Sequence, residues 1–232
     1  MQMVTRTHPG LIRVRNEDWI GCDAKKQFAV LADGMGGLFA GDVASRTAGE
    51  TVAAALDEAT TITPELLLAA CEHAHQTVID TARELEMGKQ MGTTLVVWAA
   101  TPSGWAAAHV GDSRLYRWHN GILDQLTEDH TLAQRMRHEG SAPAGIDIDK
   151  EYGHILTQAV GLLSGIEPGI CSGVLPAGRF LLCSDGLSEA VGNVTITDLI
   201  AQPDLSVAAS QLMQAAIDEG GRDNISLVLI DT

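Results

Sequence analysis

Basic residues are scarce in this chain of 232 residues, with 15 Lys and Arg against 30 Asp and Glu and a formal net charge of −15. A surface this acidic repels phosphate backbones, and the few basic residues are scattered rather than clustered, so nucleic acid is not expected as a partner. Cysteine is sparse too. Cys22, Cys71, Cys171 and Cys183 lie far apart and form no C-x-x-C pair, which points to a reducing compartment. No apolar run reaches eighteen residues, and Met1 to Gly10 holds no apolar core of a signal peptide. A cytoplasmic protein is expected, with neither leader nor membrane span. Internal repeats, heptads and low-complexity tracts are missing as well, so no regulatory appendage is expected.

What is present is enough for a core. Hydrophobic residues make up 45% and charged residues 19% of the chain, which argues against disorder and fits one domain over residues 1–232. From Glu65 to Leu85, apolar residues at Leu67, Cys71, Ala74, Val78, Ala82 and Leu85 mark one helical face, with Pro64 at its start. The same spacing predicts helices from Asp42 to about Ala59 and from Leu205 to Ile217. Short apolar runs bounded by Gly, Asp or Ser predict strands at Phe28 to Ala32, Thr93 to Ala100, Trp105 to Val110, Leu115 to Trp118, Phe180 to Cys183 and Ile225 to Ile230. A hairpin turn at Asn120-Gly121 and two consecutive helices break any βαβ rhythm, so the fold class is α+β with antiparallel sheets. Residues 128–152, rich in His, Gly and Asp, predict a surface flap with one short helix near Leu132 to His138.

Aspartates recur where apolar runs end. Asp33, Asp112 and Asp185 each follow such a run, while Asp18 and Asp223 stand just before one. Five carboxylates flanking strands are expected to converge on one sheet edge. Carboxylates held together repel unless cations neutralise them, and an all-oxygen ligand set favours Mg²⁺ or Mn²⁺ over Zn²⁺. Gly34 lacks a Cβ, so its carbonyl can approach an ion that Asp33 holds. Any single Asp-Gly pair is more simply a strand end, and it is the five together that favour a metal centre. Arg13, five residues before Asp18, brings a planar fork suited to phosphate.

Taken in order, Gly10-x-x-Arg13-x-x-Asn16-Glu17-Asp18, Ala32-Asp33-Gly34-Met35-Gly36-Gly37, Gly92-Thr93-Thr94, Val110-Gly111-Asp112-Ser113-Arg114, Leu126-Thr127-x-Asp129-His130, Cys183-Ser184-Asp185-Gly186-Leu187 and Asp223-Asn224 resemble the metal-dependent protein phosphatases, the type 2C or PPM family, in its bacterial form. The resemblance spans nearly the whole chain. It implies a four-layer α-β-β-α sandwich, two central antiparallel sheets flanked by helix pairs. It also implies two Mn²⁺ or Mg²⁺ ions. Asp33 would bridge them, the Gly34 carbonyl would ligate one, and Asp185 and Asp223 would hold the other. Glu17 and Asp18 would act through metal-bound water, and Asp112 with Asp185 would form a weaker third site. Arg13 would bind the substrate phosphate. The implied reaction is attack of a metal-bridging water on a phosphoserine or phosphothreonine, the partners being phosphoproteins of a cognate kinase and the enzyme a monomer. No His-Cys-x₅-Arg segment of the cysteine phosphatases occurs.

Where many relatives carry a His that protonates the leaving group, this chain has Met35, and a thioether is no general acid. A metal-bound water is then the expected donor. Leu38 replaces another His, which reads as a packing change. A non-catalytic phosphoprotein-binding module is the rival reading, and the presence of Asp33, Asp185, Asp223 and Arg13 ranks it below the enzyme. Other signals carry less. A dinucleotide loop at Gly34 fails because Phe39 stands where the third glycine belongs, and Asp147-x-Asp149-x-Glu151 lacks the Gly and Glu of an EF-hand. His73 and His75 read as surface residues, His109 and His130 as structural ones, and Leu162-Leu163 as core.

Overall fold

The apolar runs are strands covered on both faces, which is why polar residues so rarely interrupt them. The computed structural model describes residues 1–35, 40–86, 91–143, 145–175 and 178–232. Among these, the strands are β1 (Gln2–His8), β2 (Asp18–Asp23), β3 (Phe28–Met35), β4 (Gly92–Thr93), β5 (Leu95–Thr101), β6 (Gly104–Val110), β7 (Arg114–His119), β8 (Ile122–Gln125), β9 (Gly169–Gly173), β10 (Arg179–Cys183) and β11 (Ile225–Asp231). The helices are α1 (Gly41–Glu58), α2 (Pro64–Glu84), α3 (Leu132–Glu139), α4 (Ile148–Tyr152), α5 (Asp185–Ser188), α6 (Asn193–Ile200) and α7 (Leu205–Asp218). One antiparallel sheet runs β1-β11-β10-β7-β8 and the other β2-β3-β5-β6-β9, with β4 beside β3.

Period-two alternation sorts the side chains into three cores. Ala29 and Leu31 of β3 meet Val228 and Ile230 of β11 between the sheets, where Phe180 packs at 5.2 Å from Trp98 and 4.9 Å from Trp105. Val30 and Ala32 point the other way, under Ala44, Val52 and Leu56 of α1 and Cys71, Ala74 and Val78 of α2. On the opposite face Leu181, Leu227 and Leu229 lie under Ile196, Ile200, Leu205 and Leu212 of α6 and α7. The result is the expected α-β-β-α stack. Side-chain caps start the long helices α2 and α7. Thr63 accepts the Leu66 N–H ahead of Pro64, and Asp204 accepts the N–H groups of Ser206 and Val207.

Several elements depart from expectation. Strand β1 pairs along all its length with β11, yet as a half-exposed edge strand with polar residues it shows no apolar run. Helix α6 was unforeseen, and the flap carries two helices rather than one: Asp147 caps α4 through the Lys150 N–H, and Arg137 of α3 donates to Asp149 of α4. Of the acidic trio at 147–151, Asp147 thus caps α4 and Asp149 pairs with Arg137. Leu162 and Leu163 are not core. Leu162 is half-buried and Leu163 is 65% exposed. His75 is half-buried rather than superficial, and its Nδ1 accepts the Gly161 N–H at 3.1 Å. The readings at Gly36, Gly37, Leu38 and Phe39 lie outside the described residues.

Candidate active site

Strands β2 and β3 place Asp18 directly opposite Asp33 in antiparallel register. Asp33 is therefore inside a strand, not beyond its end, because β3 continues through Met35 to pair with β4. Its peptide is clamped. The Asp33 N–H donates to Thr94 Oγ1 at 2.9 Å, and its carbonyl accepts from Thr93 Oγ1 at 2.8 Å and the Thr94 N–H at 2.9 Å. At Gly34 a Cβ would strike the carbonyls of Gly41 and Glu17, so only glycine lets these three segments meet.

The second sheet delivers Asp185 and Asp223. Ser184 follows β10, donates from Oγ to Asp18 Oδ2 at 3.1 Å and accepts the Ser226 N–H at 3.0 Å, tying the two sheets together beneath the carboxylates. Asp185 then opens α5. Asp223 precedes β11 and accepts from Arg13 Nη2 at 2.6 Å. The loop that carries Arg13 is fastened by Asn224, whose Nδ2 donates to the carbonyls of Pro9 and Arg15 and whose Oδ1 accepts the Glu17 N–H, at 3.0, 2.8 and 2.8 Å. Convergence is thus at one end of the sandwich, between the sheets, and not along one sheet edge. The sheet order puts β3 and β11 in different layers, so no single edge could collect all five aspartates.

Asp112 follows β6 in the turn that His130 grips from the flap side, through the Gly111 N–H to Nδ1 at 3.3 Å and the His130 N–H to the Gly111 carbonyl at 2.9 Å. The ring of His130 stacks at 4.9 Å on His109, whose Nε2 meets the Glu128 carbonyl. Arg114 holds Asp129 with a bidentate fork whose shortest bond is 2.6 Å, fixing the root of the flap. Both histidines are structural, as read from sequence.

Arg13, Glu17, Asp33, Gly34, Asp112, Asp185 and Asp223 all line one cavity of about 790 Å³, and Asp18 sits buried behind Asp33. A second cavity of about 870 Å³, walled by the flap, shares Asp112 and Asp185 with the first. Burial comes first among the causes that raise these carboxyls. It pushes Asp18 up to about 6, with hydrogen bonds from Ser226 and Ser184 opposing, and Asp112 up to about 6, aided by the charge of Asp129. Asp185 is pushed up to about 8 by burial and the charges of Asp112 and Asp223, and Asp33 lies well above its ordinary range through burial and the charges of Asp18 and Asp185. Glu17 is raised by burial and by Asp42.

Such a group fits hard cations. Asp18 Oδ1 and Asp185 Oδ1 are buried without a hydrogen-bond partner, which is the condition a metal ion relieves. No three His, Cys, Asp or Glu side chains among the described residues stand in a closed coordination geometry. What sequence reading missed is the supporting frame of Thr93, Thr94, Ser184 and Asn224. All four occur in the quoted motifs without a role, and the available signal was a small polar side chain next to an aspartate at Ser184 and Asn224.

Comparison with known proteins adds a second line. The family model described as protein phosphatase 2C matches residues 14–229. The serine/threonine protein phosphatase PstP of Mycobacterium tuberculosis is 35% identical over 240 residues, covering 100% of this chain and 45% of that protein, so the chain spans about half of that relative's length. The serine/threonine phosphatase stp of Listeria welshimeri is 35% identical over 239 residues, covering 97% of this chain and 94% of that protein. Among solved structures, the catalytic domain of PstP in complex with two manganese ions superposes with a TM-score of 0.84 at 33% identity, covering 99% of this chain and 97% of that one.

Proposed function

The chain belongs to the protein phosphatase 2C family, and on that premise we propose that it is a protein phosphatase hydrolysing phosphoserine and phosphothreonine, with divalent cations held between its carboxylates. The observation that carries this reading is the enclosure of Asp33 and Asp185, backed by Asp18, around a cavity that also presents the guanidinium of Arg13. Asp33, the Gly34 carbonyl, Asp185 and Asp223 would hold two ions, Mn²⁺ or Mg²⁺. Glu17 and Asp18 would support them through water, and Asp112 with Asp185 would hold a weaker third. The manganese complex of the PstP catalytic domain supports the choice of cation. When bound, such ions neutralise the carboxylates, polarise phosphoryl oxygens and lower the pKa of a water from ~15.7 towards neutrality.

The chain's own residues do the rest. Arg13 spends one Nη on Asp223, and its remaining N–H groups can grip a phosphate in two parallel hydrogen bonds. The clamp of Asn224 on Pro9, Arg15 and Glu17 sets where that grip falls relative to Asp33. A cysteine nucleophile is disfavoured, since burial pushes Cys71 and Cys183 up to about 12 and Cys171 up to about 11, and Cys22 is raised by burial and by Asp23. No phosphoenzyme is needed. Met35, on the cavity wall, carries no proton to give. The substrates are then phosphoproteins made by a serine/threonine kinase.

The test is phosphate release from a phosphothreonine peptide with Mn²⁺, with Mg²⁺ and with excess chelator. Release that requires the cation and stops with chelator is expected. Folded protein that releases nothing with either cation would instead favour the phosphoprotein-binding module.

A further inference from the structure

One wall of the cleft takes no part in the hydrolytic chemistry. The cavity that presents Arg13 and Asp33 is also lined by Val14, Met35, Leu156 and Leu162. The adjoining cavity beyond Asp112 and Asp185 is walled almost wholly by polar and charged groups. The apolar wall is built, not incidental. Val160 and Thr93 exchange both backbone hydrogen bonds, at 3.0 and 2.9 Å, and Gly161, at a φ of +94°, donates its N–H to His75 Nδ1. Those contacts fix the backbone on which Leu162 follows. Leu162 Cδ2 and Met35 Cε each come to 3.5 Å from where a Cβ on Gly92 would stand, so both side chains lie over that glycine. Next to the phosphate-binding Arg13, Val14 is 97% exposed, and Leu163 beyond Leu162 is 65% exposed. A single exposed apolar residue needs no explanation, but exposed Val14 together with half-buried Met35, Leu156 and Leu162 around one cavity with a phosphate-binding group does.

We propose that this wall receives an apolar side chain flanking the phosphoserine or phosphothreonine, so that the enzyme selects phosphoproteins by an apolar neighbour of the modified residue. This rests on the phosphatase reading above. An extended peptide advances roughly 3.3–3.6 Å per residue, so a neighbour of the residue gripped by Arg13 falls within the same cavity. Each methylene added in such a pocket is worth about tenfold or more in kcat/KM. The site therefore divides its labour: Arg13 and the carboxylates read the phosphate, and Val14, Met35, Leu156 and Leu162 read what stands beside it.

The experiment compares two phosphothreonine peptides, identical except that the flanking residues are leucine in one and serine in the other, with Mn²⁺ present. The expected result is a kcat/KM ratio of about tenfold or more in favour of leucine. That ratio should fall towards one in Leu162→Ser and, separately, in Val14→Ser, a side chain exposed enough that folding is not at stake. Val194→Ser, on α6 and 78% exposed, should leave the ratio alone. A ratio near one in the unmodified protein, or one that survives both cleft substitutions, overturns the proposal while leaving the phosphatase reading intact. Hydrolysis of neither peptide overturns both.

Discussion

Asp18 and Asp33 face each other across the β2–β3 ladder, two carboxylates in register and buried at the end of the sandwich. Directly opposed like charges weaken a strand pair, and burial adds a desolvation cost to each. Ser184 offsets part of it by donating to Asp18, but Asp33 faces Asp185 and Asp112 as well. The pair is a store of unfavourable electrostatics that only protons or cations relieve, and the first two predictions follow from it.

Metal-free protein should lose stability as pH rises. The folded-state pKa values of Asp18 and Asp112, about 6, and of Asp185, about 8, lie above the ordinary carboxylate value of about 4. Protonated forms stabilise the fold fully below that ordinary value, and their contribution is lost as pH climbs through 6 towards 8. The Tm gain on adding Mn²⁺ should accordingly be larger at pH 8 than at pH 6, and chelator should reverse it. Equal gains at both pH values would count against cations binding among these carboxylates.

Asp185→Asn removes one of the carboxylates crowding Asp33 and, on the proposed reading, one cation ligand. Turnover with Mn²⁺ should fall by more than about 100-fold, while the metal-free Tm holds or rises because repulsion with Asp112 and Asp223 is relieved. Undiminished activity in a folded variant would refute the ligand role.

Arg13→Ala should raise KM more than it lowers kcat, since a guanidinium that grips the phosphate acts alike in ground and transition states. A charge-assisted pair of hydrogen bonds corresponds to an increase of about 10- to 100-fold. Stability should hardly change, because the Arg13–Asp223 pair is largely exposed. An unchanged KM would remove Arg13 from phosphate binding.

Asn224→Ala breaks three hydrogen bonds at once, those to the carbonyls of Pro9 and Arg15 and that from the N–H of Glu17. Denaturant unfolding should show a loss of about 2–3 kcal/mol. KM should rise as well, since the loop bearing Arg13 is released. A loss of stability with KM unaltered would separate Asn224 from the positioning of Arg13.

Much of this molecule was determined by sequence alone. The period of the apolar residues placed α1, α2, α7 and the main strands, and the aspartates at the ends of apolar runs were the ones the fold brings together. Local pattern records local burial, which is why it failed for β1, an exposed edge, for α4, too short to show a period, and for Leu162, whose apolar character serves the cleft rather than the core. Only the tertiary structure decided how the carboxylates meet. Arg13 and Asp223 pair across 210 residues, and Ser184 reaches Asp18 across 166. Such contacts depend on strand order and register, which leave no periodic trace in a single strand. The residue types of the site are therefore written in the chain, while its location between two sheets comes from the packing of those sheets and its apolar wall largely from the loops that carry Val14, Leu156 and Leu162.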